Sequence, residues 1–280
     1  MLNLLRLARL WALWLGPWLG GAAAFAQTPP TVVDIPTRSA LSAPVTQRFL
    51  YAAPAQPKAA VILLAGGHGG LQIQNNGTLA WGNNNFLVRT RQQFLDAGLA
   101  VALLDAPSDR QSPPFLSGYR QTPTHASDIQ AVIVWLRAQA PLAGRPVWLV
   151  GTSRGTQSAA YAATALAAAP IGPDGLVLTS TLLSDPRSRP VPDMPLQRLR
   201  IPVVVLHHAQ DRCQHCAPAE LPRLMDQLAL ATAAPPASLV MLSGGQSTGD
   251  VCEASSHHGF LGVEAEAVRQ ITTRMQTAIP

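Results

Sequence analysis

The stretch Pro146-Val-Trp-Leu-Val-Gly151-Thr-Ser153-Arg-Gly155 decides how this chain folds. Val147 to Val150 is an unbroken apolar run, the pattern of a strand buried on both faces. It leads straight into Gly-x-Ser-x-Gly, and an alanine-rich helical segment, Gln157 to Ala169, follows at once. A serine on a sharp strand-to-helix turn has its hydroxyl pushed clear of the sheet, beside a helix N-terminus. The flanking glycines let two backbones approach where a side chain would clash. The five letters alone carry little, because small residues are common in turns. The strand before and the helix after make Ser153 a candidate nucleophile.

Outward from that turn, short aliphatic runs alternate with amphipathic stretches. Strands are predicted over 60–65, 99–104, 146–150, 175–179, 201–206 and 238–242. Helices are predicted over 86–97, 127–140 (with Ser127 or Asp128 near the start), 157–169, 221–230 and 260–279. This alternation predicts an α/β fold, a mostly parallel doubly wound sheet flanked by helices. The segment between the strands at Gly175 and Ile201 is about twenty residues and proline-rich, too short for a large lid domain. Ligands of such sheets bind beyond the carboxyl ends of the strands. The polar residues gather there: Gly67 and His68, Asp105, Ser153, Asp211, and the loop with His257 and His258.

The first 26 residues read as a removable export signal. Arg6 and Arg9 precede an apolar stretch, Leu10 to Leu19, and Ala24-Phe25-Ala26 supplies a small-x-small cleavage pattern before Gln27. The apolar run is short for a membrane span and is broken by Gly16 and Pro17. Residues 27–50, rich in Pro, Thr and Ser, are expected to form a tail or a leading edge hairpin. Residues 51–280 then make one catalytic-size domain in an exported protein, periplasmic or secreted. Of the formal charge of +5, Arg6 and Arg9 carry two, which leaves +3 on the mature chain. Charges are sparse and unclustered, so nucleic-acid binding has no support.

A serine hydroxyl needs a base, and a histidine base needs a carboxylate to fix its tautomer and stabilise its charged form. Ser153, then Asp211 after a strand, then His258 in a late loop supply these groups in chain order. His258 is preferred to His257 because it stands directly before Gly259-Phe260. Asp185 is the alternative acid. Asp105 also ends a strand, and reads better as a turn aspartate accepting backbone hydrogen bonds. The oxyanion of acyl transfer needs backbone N–H donors. The amide of Arg154 is one candidate. Gly67, within Gly66-Gly67-His68-Gly69-Gly70, is the other. That glycine-rich loop could cradle phosphate, but the Lys-Ser or Lys-Thr of a P-loop is missing. His68, Trp81 and Asn85 are candidate substrate contacts. The last two lie on an asparagine-rich excursion, Leu71 to Asn85, that leaves this loop.

The order of these motifs resembles the α/β-hydrolase superfamily over nearly all of the mature chain. Ser256-His257-His258-Gly259-Phe260 is similar to the histidine loop of dienelactone-hydrolase-like members. Asn85-Phe-Leu-Val-Arg89, Asp105-Ala-Pro-Ser-Asp109 and Gly151-Thr-Ser-Arg-Gly-Thr156 resemble exported bacterial hydrolases whose substrates are not settled. The resemblance implies the fold and a Ser-Asp-His triad, and leaves the substrate open. Many lipases of the superfamily carry His-Gly before the oxyanion loop, where this chain has Ala65-Gly66.

Three cysteines, Cys213, Cys216 and Cys252, allow three single disulfide pairings. Cys213 is two residues after Asp211 and Cys252 six before His258. If both loops meet at the site, a Cys213–Cys252 bond would pin one to the other. Two rival readings use the same region. Cys213-Gln-His-Cys216 between a strand and a helix has the form of a thiol redox pair. His207, His208, Cys213, His215 and Cys216 are residue types that bind zinc or copper. Successive strand residues point to opposite faces, which sets His207 against His208 as joint ligands. A non-catalytic binding module on the same scaffold is the third alternative. The reading that absorbs the most residues is a serine hydrolase, without metal or cofactor, cleaving an ester-type bond in a small-molecule acyl compound. Esterase, thioesterase, lactonase and amidase action share this machinery.

Overall fold

The computed structural model describes residues 29–39 and 43–278. The expected export signal, 1–26, lies outside the described residues. The elements in chain order are β1 (Thr31–Arg38), β2 (Val45–Ala52), β3 (Ala59–Leu64), α1 (Phe86–Arg89), α2 (Arg91–Asp96), β4 (Leu99–Leu104), α3 (Pro123–Arg137), β5 (Val147–Thr152), α4 (Gly155–Ala165), β6 (Gly175–Thr179), β7 (Val203–His208), α5 (Leu221–Ala229), β8 (Ser238–Leu242) and α6 (Glu264–Thr277).

The eight strands form one sheet in the order β1-β2-β4-β3-β5-β6-β7-β8. The pairs from β4 through β8 are parallel; β2 runs antiparallel to both β4 and β1. β1 and β2 therefore make an antiparallel pair at one edge of the sheet. Arg38, at the end of β1, fastens that edge to the body. It donates to Asp109 (2.8 Å), to Tyr119 (2.9 Å) and to Asp128 (3.3 Å).

The central strands β3, β4, β5 and β7 are buried at every residue, as the apolar runs predict. Alternate side chains feed two cores. Ile62, Ala102, Leu149, Leu178 and Val205 pack with α3, α4 and α5 on one face. Val61, Leu103, Val150, Val177 and Leu206 pack with α1, α2 and α6 on the other. Helices thus cover both faces, and no large separate lid stands over the sheet among the described residues. No helix there is long and apolar enough to cross a membrane.

Several element boundaries differ from the sequence expectation. The helix expected over 127–140 begins at Pro123, because Thr122 Oγ1 accepts from the His125 amide (3.1 Å) and Pro123 fits the first helical position. The helix expected over 86–97 is split at Thr90, whose hydroxyl donates to Phe86 O (2.7 Å) and closes α1. The last helix starts at Glu264, after Phe260 adopts φ 60°. The strand expected over 201–206 runs instead from Val203 to His208.

Candidate active site

The turn from β5 to α4 holds Ser153 at φ 51°, in the left-handed region that side chains with a Cβ rarely occupy. Three contacts hold it there. Ser153 N donates to Thr179 O (3.0 Å), and Thr156 donates to Ser153 O through both its amide (2.9 Å) and its hydroxyl (2.5 Å). The glycines around it are needed for backbone contact. A methyl group on Gly151 would sit 2.6 Å from Gly155 O, and one on Gly155 would overlap the carbonyl of Leu64 on β3. The helix thereby starts against the sheet, with Ser153 projecting from the crest of the turn into a cleft of about 540 Å³.

His258 lines the same cleft. Its Nδ1 is 2.9 Å from Asp211 Oδ2, and both side chains are buried. Asp211 follows β7, and its other oxygen accepts from the Cys213 amide (2.9 Å). The histidine loop is held by its backbone. Ser180 donates its hydroxyl to His258 O (2.7 Å), the His258 amide donates to Ser256 Oγ (3.1 Å), and Arg89 donates to Gly259 O (2.6 Å). Gly259 has no side chain because a methyl there would overlap the carbonyl of Ala254. His257 lies away from Asp211, with its ring stacked on His208 (centroids 4.5 Å apart). Asp185 is occupied elsewhere, accepting from Arg154 (2.8 Å), Ser188 (2.6 Å) and the Arg187 amide (3.0 Å). Asp105 accepts from the amides of Leu71, Gln72, Ile73 and Ala106, and so organises the start of the 71–85 excursion.

Gly67 and Arg154 both line the cleft beside Ser153. Gly67 has φ 56°, and a Cβ on it would come within 2.5 Å of the Trp81 ring, so that ring lies directly over the loop. Trp81 and Asn85 line the cleft, and Asn85 also caps α1 by accepting from the Leu87 amide (3.1 Å). His68 lies between the rings of Trp81 (3.8 Å) and Phe115 (4.2 Å). It borders an adjoining cavity of about 490 Å³ rather than the cleft around Ser153. Burial first, then the charge of Arg120, lowers its pKa against a smaller opposing effect of Asp105.

Arg120 carries no signal in the sequence, yet it holds the start of the glycine-rich loop. It is fully buried and donates to Ser158 Oγ (2.9 Å), Gly67 O (3.1 Å), Ala65 O (3.2 Å) and Gly66 O (3.4 Å). Gly69 is a glycine because a methyl there would overlap the Arg120 guanidinium. Burial, with a smaller contribution from Arg154, pulls the Arg120 pKa down to about 9, which still leaves it charged at neutral pH. Among the described residues no carboxylate pairs with it, so its positive charge bears directly on the loop.

Cys213 and Cys252 are joined by a disulfide, and Cys216 is a buried free thiol. The Cys213-Gln-His-Cys216 pair, weighed as a redox couple, is not joined to itself. His207 and His208 do not converge as metal ligands: His207 Nε2 accepts from the Thr181 amide (2.6 Å), whereas His208 bonds Gly244 O (2.8 Å) and stacks on His257.

No protein-family model matches the chain, and no curated protein matches it. Solved structures do. A dienelactone hydrolase from Anabaena variabilis superposes with a TM-score of 0.56 at 15% identity, over 89% of this chain and 96% of the other. An esterase from Pyrococcus furiosus gives 0.59 at 11% identity, over 90% and 93%. A carboxylesterase from Lactobacillus plantarum gives 0.59 at 13%, over 88% and 97%. At these identities the likeness is one of architecture: the chain has the α/β-hydrolase fold.

Proposed function

We propose that the protein is a serine hydrolase that cleaves an ester-type bond in a small acyl compound. One observation carries the reading. Ser153, held at φ 51° on the strand-to-helix turn, opens into the same cleft as His258, whose Nδ1 is bonded to the buried Asp211. The esterases and dienelactone hydrolases among the structural neighbours support it by analogy of fold.

With Nδ1 committed to Asp211, His258 has Nε2 free to take a proton. His258 removes the Ser153 proton as the hydroxyl oxygen attacks the carbonyl carbon. Asp211 stabilises the imidazolium that forms. The amides of Gly67 and Arg154 hold the oxyanion, and Arg120 fixes the orientation of the loop that carries Gly67. His258 then protonates the leaving group, and water activated by the same nitrogen hydrolyses the acyl-enzyme. Trp81 and Asn85 bound the acyl site. The open cleft and the absence of a large lid among the described residues favour small or polar acyl groups over long chains.

Residues 1–26 serve, in this reading, as a cleaved export signal ahead of a single catalytic domain over 51–280. The Cys213–Cys252 bond supports export, since disulfides persist in oxidising compartments.

The decisive experiment combines labelling and turnover. Wild-type protein should react with a fluorophosphonate probe and hydrolyse short p-nitrophenyl esters, and Ser153→Ala should lose both. Labelling that survives in Ser153→Ala would move the nucleophile elsewhere. A panel of esters, thioesters, lactones and amides would then identify the bond cleaved.

A further inference from the structure

The loops that bring Asp211 and His258 together also gather the sulfur atoms. Ligand atoms of Cys213, Cys216 and His258 all lie within 4.8 Å of one another, and all three residues are buried. A tetrahedral zinc ion with bonds of about 2.3 Å to sulfur sets its ligand atoms about 3.8 Å apart. The cluster is therefore within roughly an ångström of a metal-binding arrangement.

In the oxidised protein Cys213 is not available, because its sulfur is bonded to Cys252. Cys252 is only half-buried and lines the open cleft, so a reductant can reach its sulfur. A small dithiol would attack the Cys252 sulfur, displace Cys213 as the thiolate, and leave as its own cyclic disulfide. Both cysteines are then thiols, and Cys213 and Cys216 stand side by side in a Cys-x-x-Cys turn closed by the Cys216 amide on Cys213 O (2.9 Å).

We propose that reduction of the Cys213–Cys252 disulfide creates a site for zinc, formed by Cys213, Cys216 and His258, in the cleft beside Ser153. Binding releases the two thiol protons to solvent. Nδ1 of His258 is held by Asp211, so Nε2 is the ligating nitrogen. A carboxylate behind a ligating histidine is the arrangement that orients such ligands at metal centres. Cys252 or a solvent molecule completes the tetrahedron. The metal occupies the lone pair that acyl transfer needs, so the same histidine cannot serve both. Reduced protein with zinc is switched off, and a chelator returns it to the lower turnover of the reduced, metal-free form. Cys216, for which the proposed acyl-transfer mechanism has no use, thereby acquires a role.

The test reads metal binding directly and does not depend on any activity. Reduced, desalted protein is titrated with Co²⁺, whose thiolate charge-transfer and tetrahedral d–d bands report the ligand set. One equivalent should bind with both band systems present, and Zn²⁺ should abolish them. The oxidised protein should show neither. Cys216→Ser and His258→Ala, both reduced, should each bind at least about tenfold more weakly. Failure of the reduced wild type to bind one equivalent would overturn the proposal, as would equal binding by the oxidised form or by His258→Ala. Loss of the folded state on reduction, followed by far-ultraviolet circular dichroism, would overturn it too. Failure of the hydrolase reading, by contrast, would appear only in labelling and turnover.

Discussion

Cys213, two residues beyond Asp211, is covalently bonded to Cys252, six residues ahead of His258, so a single bond ties the acid loop to the histidine loop. The sequence separation it closes is 39 residues. Cross-linking a loop of that length removes denatured-state entropy equivalent to about 4 kcal/mol. Reduction, or Cys252→Ser, is therefore expected to lower the urea midpoint by that amount divided by the denaturant slope. Turnover should fall further than the folded fraction does, because the two loops gain freedom to separate. Matched urea titrations and ester assays, with and without dithiol in the presence of a chelator, give both values. An unchanged midpoint would mean that the cross-link does not restrict the unfolded chain, and unchanged turnover per folded molecule would mean that the contacts of Ser180 and Arg89 already hold the histidine loop.

Arg120 offers a second test. Its guanidinium gathers three consecutive carbonyls, those of Ala65, Gly66 and Gly67, and so sets the direction of the amides between them. Removing a direct oxyanion donor costs about 10²–10³ in turnover. Arg120 acts one step back, so Arg120→Met is expected to lower kcat by roughly tenfold to hundredfold. KM should move by less than about threefold, because the cleft around Ser153 is not lined by Arg120. Steady-state kinetics on a short ester separate the two parameters. A rise in KM at constant kcat would assign Arg120 to substrate binding through the adjoining cavity that it does line.

Ser153 and Arg120 differ in how much of their placement is written in local sequence. The run into Ser153 was legible because a strand buried on both faces, a glycine-flanked turn and an alanine-rich helix are all local patterns. Chain order and their positions after strands were enough to place Asp211 and His258 at the same end of the sheet. Arg120 acts on carbonyls more than fifty residues earlier, and no local pattern encodes a contact across that separation. The position of the Cys216 thiol against the site is tertiary in the same sense. The misplaced start of α3 is different. Thr122-Pro123 is a sound start signal, but it lies several residues ahead of the apolar run from Ile129, to which the expected boundary was tied.

Gly155 is expected to be the least replaceable glycine of the turn. A methyl group there would overlap the Leu64 carbonyl, which is sheet backbone and cannot rotate away. Gly155→Ala should cost about 3 kcal/mol or more, at the upper end of overpacking. Gly118 is the control. It has φ 72° but open space around it, so Gly118→Ala should cost only the left-handed backbone penalty of about 1–2 kcal/mol. Urea denaturation of both variants ranks them. Equal costs would show that the Leu64 carbonyl gives way and that the approach of α4 to β3 does not require a glycine.

Two buried histidines should give the fold a marked acid sensitivity. Burial above all pushes the pKa of His125 down to about 3, with Arg120 and Arg38 adding to the effect. Burial does the same at His207, whose pKa is also about 3, with Asp211 opposing and His258 assisting. His207 Nε2 accepts from the Thr181 amide, a bond that only the neutral ring can make. In the unfolded chain both rings take up a proton near the usual 6.5. Between that value and about 3 the unfolded state binds more protons, so stability rises with pH there. The contribution is full above pH 6.5 and is lost progressively as the pH falls towards 3. Each ring accounts for about 1.4 kcal/mol per pH unit within the window. Unfolding free energies measured by urea titration at several values from neutral down to pH 5 should fall by nearly 3 kcal/mol per unit once well below 6.5. His125→Gln should reduce that slope by about half, whatever it does to stability at neutral pH. A slope that stayed the same in the variant would mean that His125 takes up its proton in the folded state and is not held neutral by its burial beside Ser158.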